Sequence, residues 1–130
     1  MKSIVRLVVI MLVMLPAISF AQTSKAEWSE MKTFHSLMSR TFHPSEEGNF
    51  APLKAKADSL LIVAKLWQAS KIPAGYKPAE TKEILAKLVM LCQNLAGGVK
   101  ANAAEVKLKV MITDAHEAFH QIVEKCKTTE

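Results

Sequence analysis

Concentrated positive charge is the first thing this chain lacks. Beyond residue 21 its one arginine is Arg40, and its lysines are scattered singly or in pairs rather than gathered in a cluster. Binding a phosphate backbone requires a basic face, so nucleic acid is not an expected partner. Alternation of apolar and polar residues at a spacing of two is also missing, which argues against any sheet. Cysteine is limited to Cys92 and Cys126, and no cysteine follows the small residues near position 21. A lipid-anchored form is therefore not expected. No nucleophile, acid–base dyad or substrate pocket is legible, and enzyme activity is not expected.

The N-terminus is the clearest positive signal. Lys2 and Arg6 precede an unbroken apolar run from Leu7 to Leu15, Pro16 follows, and Ser19-Phe20-Ala21 offers small residues for cleavage. This pattern predicts a secretory signal peptide over 1–21, too short to remain as a bilayer anchor. The mature domain would span 22–130 in the periplasm or outside the cell, with no membrane attachment after cleavage. Loss of Lys2 and Arg6 leaves 15 basic against 12 acidic residues, a net charge of about +3.

Four helices follow from the punctuation. Ser24 and Glu27 form a capping box, and Trp28, Met31, Phe34, His35, Met38 and Phe42 recur at helical spacing up to His43, where Pro44 is expected to end the helix. A second helix begins at Ala51-Pro52, with Leu53, Ala57, Leu60, Leu61, Ala64 and either Trp67 or Leu66 inside. The linker IPAGYKPA leads to a third helix over 79–96, ended by Gly97-Gly98 as a left-handed cap. Asn102 and Glu105 open a fourth, running unbroken to Lys127 and expected to be the longest at roughly 37 Å. Short connections predict an all-α, antiparallel up-down-up-down four-helix bundle.

The chemistry lies in the histidines. The fourth helix contains His116-Glu117-Ala118-Phe119-His120, the H-E-x-x-H spacing of zinc proteases. A protease reading fails, because Glu117 points away from the core and neither a third ligand nor a substrate-holding strand is available. His116 and His120 instead lie one turn apart on the flank of the apolar face, where both can reach one ion. His35 falls within the apolar stripe of the first helix and is expected to face the core. Pairing the first helix with the fourth sets Met31, His35 and Met38 opposite His116 and His120.

This arrangement predicts a transition-metal site with His35, His116 and His120 as core ligands. Copper is favoured if Met31 or Met38 contributes sulfur, and zinc if the ligands are nitrogen and carboxylate alone. His43, about 12 Å along the axis from His35, is expected outside that shell and could join Glu46 and Glu47 in a weaker group. Cys92 and Cys126 are placed roughly 15–18 Å apart, too far for a disulfide. Cys92 reads as a small core residue, and Cys126 as a free thiol, a soft ligand or an intermolecular link. The metal reading implies buffering, sensing or delivery. A bundle without cofactor, using its exposed face or Cys126 to bind a partner or a second copy as a homodimer, is the bland alternative.

Met31 in AEWSEMKTF and His120 in EAFHQIV stand where the cytochrome b562 / cytochrome c′ group of exported bundles carries its haem ligands, and the chain resembles that group. The resemblance implies non-covalent haem b between Met31 and His120 and a role in electron transfer. C-x-x-C-H is absent, so covalent attachment is not implied. His35, one turn beyond Met31, would compete with it as a ligand. The stretch MSRTFHPSEEGNFAPLKAKA is also similar to a segment of small exported bacterial proteins, a likeness that assigns no chemistry.

Overall fold

The computed structural model describes residues 27–128. The expected leader over 1–21, its expected cleavage position and the expected Ser24 cap lie outside the described residues. The rest is all-helical: α1 Ser29–Glu46, α2 Ala51–Ala69, α3 Pro78–Lys100 and α4 Glu105–His120, followed by a π-helical turn, Gln121–Lys125. Consecutive helices pack on each other, and α1 packs on α4 to close a four-helix bundle. Among the described residues no helix is long and apolar enough to cross a membrane.

The core follows the helical periodicity of the sequence. In α2 the buried residues are Leu53, Ala57, Leu60, Ala64 and Trp67, and Leu66 points outward. Trp67 anchors an aromatic cluster: its ring centroid lies 5.3 Å from Phe34, 5.5 Å from Trp28 and 6.0 Å from Phe119. Such contacts add about 0.5–1.5 kcal/mol per pair beyond the burial of area. The indole of Trp28 donates to Ser70 Oγ at 2.7 Å, tying the entry of α1 to the exit of α2.

Several boundaries differ from expectation. α1 continues through Pro44 to Glu46. So near a helix end the proline ring removes a single intrahelical donor, and the turn has other support. Ser45 Oγ donates to Phe42 O at 2.6 Å, while the amides of Glu47 and Asn49 both donate to Pro44 O.

α3 runs through Gly97 and Gly98, making it the longest helix at 23 residues. Asn102, with φ of 52°, takes the left-handed position expected of the glycines, so it closes α3 rather than capping α4. α4 does not continue unbroken. After His120 it widens into the π turn, where the Cys126 amide donates to Gln121 O at 3.2 Å. Beyond it the tail lies against the α2–α3 linker, with Lys77 N donating to Cys126 O and Thr128 N to Gly75 O.

Candidate functional site

All four histidines of the chain are on α1 and α4. Contacts along this seam pair rising residue numbers on α1 with falling numbers on α4. Phe34 and His35 meet Phe119, Phe42 and His43 meet His116, and the Glu46 carbonyl accepts from Lys109 Nζ. The periodicity of each helix buries Phe42 and Phe119 while leaving the histidines at the rim.

His116 and His120 form the centre. Their Nε2 atoms are 3.2 Å apart, and His120 Nδ1 lies 3.1 Å from Glu124 Oε1. A carboxylate only accepts, so His120 carries its proton on Nδ1 and has a free lone pair on Nε2 when neutral. His116 then donates from Nε2 to that lone pair. The ring of His116 is stacked on Phe42 at 3.9 Å and 16°. Its pKa is lowered, first by partial burial, then by the neighbouring His120 and His43, against a weaker opposing pull from Glu46.

His43 has the same arrangement as His120. Its Nδ1 lies 3.0 Å from Glu46 Oε2, and its ring centroid is 6.4 Å from that of His116. It therefore stands closer to the pair than its position along α1 suggested, because α1 brings His43, not His35, level with His116. His35 is exposed, a correction to the core-facing position expected from the stripe. The buried line of α1 runs through Phe34, Met38, Thr41, Phe42 and Ser45, and His35 is one residue off it. Its ring stacks on Phe119 at 4.8 Å and 9°, covering the core from outside.

The sulfur candidates lie elsewhere. Met38 is fully buried within the core. Met31 is half-buried, and its Sδ receives Tyr76 Oη at 3.6 Å. Cys126 is 2 % exposed, so an intermolecular link through its thiol is not available in the folded chain. Cys92 is fully buried, both thiols are free, and burial pushes the Cys92 pKa up to about 12. Glu47 is exposed at the end of α1.

Among the described residues no three His, Cys, Asp or Glu side chains already stand in a metal-holding arrangement. The assembled unit is a pair of imidazoles, with His43 and His35 flanking it. Sequence reasoning brought His116 and His120 together correctly and grouped Glu46 with His43, but missed the contacts by which Glu46 and Glu124 each hold a histidine Nδ1. Their spacing, three residues after His43 and four after His120, was the available signal. No protein-family model, curated protein or solved structure matches the chain.

Proposed function

We propose that this protein is an exported four-helix bundle that binds a transition-metal ion through the histidines between α1 and α4, for buffering, sensing or delivery. The reading includes removal of the leader over 1–21, a periplasmic or secreted location, and up-down-up-down connectivity, for which the short links and the opposed numbering along the α1–α4 seam are the support. One observation carries it: the 3.2 Å separation of the His116 and His120 ε nitrogens. Two imidazoles on one zinc, each at about 2.0–2.1 Å, have their nitrogens roughly 3.3 Å apart in tetrahedral geometry. The pair is thus spaced as two adjacent ligands of one ion. Glu124 on the remaining nitrogen of His120 is the outer partner a metal-bound histidine commonly has.

Imidazole ligands suit zinc, copper and nickel, and the placement of Met31 and Met38 away from the pair removes the argument for a thioether-favoured cuprous site. Haem between Met31 and His120 is the less supported cofactor, because Tyr76 occupies the Met31 sulfur and Phe34, Trp67 and Phe119 pack together in the core. Titration of purified mature protein with Zn(II) and Cu(II) tests the reading. One equivalent should bind and raise the melting temperature, and the His116→Ala/His120→Ala double variant should lose both effects. A wild-type protein that takes up neither ion ends this reading.

A further inference from the structure

His43 and His120 are held alike. Each has a nearby carboxylate on Nδ1, Glu46 of α1 at 3.0 Å and Glu124 of the π turn after α4 at 3.1 Å, so each neutral ring keeps its proton on Nδ1 and its lone pair on Nε2. His116 lies between them, with centroids 4.5 Å from His120 and 6.4 Å from His43. Imidazoles sharing one tetrahedral ion at about 2.0–2.1 Å have ring centroids roughly 5 Å apart. The two observed spacings bracket that value, and His43 is exposed on the last turns of α1, where a change of rotamer can carry its ring inward towards both His116 and His120.

We propose that the metal site is completed by His43, not His35, giving a three-imidazole centre of His43, His116 and His120 in which Glu46 and Glu124 fix the two outer rings by their δ nitrogens. The proposal rests on the reading that this seam binds a metal ion, and it names the ligand set. His35 is instead an aromatic cover, stacked flat on Phe119. On binding, the ion replaces the Nε2 proton of His116, which returns to the ring on Nδ1 through solvent, so neutral imidazole ligates with no net change of charge on the side chain. Three nitrogens leave a fourth position of a tetrahedral ion open to water or to an incoming ligand. That geometry favours Zn(II) or Cu(II) and an ion that can be handed on.

Competition titration with Zn(II) tests the ligand set in wild type and in His43→Ala, Glu46→Gln, Glu124→Gln and His35→Ala. His43→Ala should weaken affinity by more than 10-fold. Each Glu→Gln should weaken it by about 10-fold or more, as loss of an outer carboxylate commonly does. His35→Ala should bind like wild type. All four positions are exposed, and the melting temperature of each metal-free variant reports whether its fold is intact. Cu(II) electron paramagnetic resonance should show three coordinating nitrogens in wild type and two in His43→Ala. Wild-type affinity in His43→Ala, or a loss confined to His35→Ala, overturns the ligand set while leaving the metal reading standing. No binding by wild type removes both.

Discussion

A methyl group added at Gly98 would sit 3.0 Å from the sulfur of Met111, where α3 packs against α4. Gly97, one residue earlier, has nothing within 4 Å of the same added atom. Both lie inside α3, where glycine costs about 0.5–1 kcal/mol relative to alanine. Gly97→Ala should therefore stabilise the protein by about that amount, raising the melting temperature by a few degrees. Gly98→Ala should gain less or lose outright, since Met111 and Leu108 must move. Thermal unfolding of the two variants side by side checks this, and an equal gain at both positions would mean that the α3–α4 contact is slack.

Thr81 is fully buried, and its hydroxyl has no hydrogen-bond partner. Thr81→Val replaces that hydroxyl with a methyl of similar shape and should stabilise by about 1–2 kcal/mol, the cost of burying an unpaired hydroxyl. Thr41 is an internal control. It is equally buried, but its hydroxyl lies 3.0 Å from the carbonyls of both Leu37 and Met38. Thr41→Val should be neutral or destabilising in the same denaturant titration.

The fold was readable from the sequence to the extent that burial repeats at the helical period. Leu53, Leu60, Leu85, Leu88, Leu108 and Ile122 all lie inside as a helical stripe requires. The ends were harder, because they depend on particular hydrogen bonds. Pro44 reads as a stop, yet Ser45 and Asn49 hold the turn around it. Gly97-Gly98 reads as a cap, yet Gly98 serves close packing and Asn102 takes the left-handed turn.

The site was half legible for a related reason. Spacing of four joins His116 to His120 within one helix. Which residue of α1 faces them depends on how α1 is rotated, and a rotation of one residue, about 100°, exchanges His35 for Phe34 at the core.

Acid should weaken the metal-free protein through His116. Its folded pKa lies below the ordinary value of about 6.5, owing first to partial burial and then to His120 and His43, so the unfolded chain binds more protons there. The stability that His116 contributes is full above about pH 6.5, falls as the pH drops through that value, and levels off below the folded pKa. His116→Gln should flatten the melting-temperature profile between about pH 7 and 5. His35 also lies close enough to oppose the charge on His116, and Glu46 offsets part of that repulsion. Identical profiles for the variant and wild type would mean that His116 titrates as a solvated ring.

The π turn over 121–125 holds one residue more than an α-helical turn would. That extra residue works like an inserted spacer, uncoupling two tasks that share one helix. Upstream, the α spacing keeps His116 and His120 on one edge. Downstream, the wider turn rotates the chain by about 90° less than five α-helical residues would. Cys126 is thereby sealed under the linker, and Lys127 reaches the antiparallel bridge to Tyr76. Shortening this turn by one residue, for instance at half-buried Val123, would leave the histidine edge in phase and unlatch the tail from the bundle.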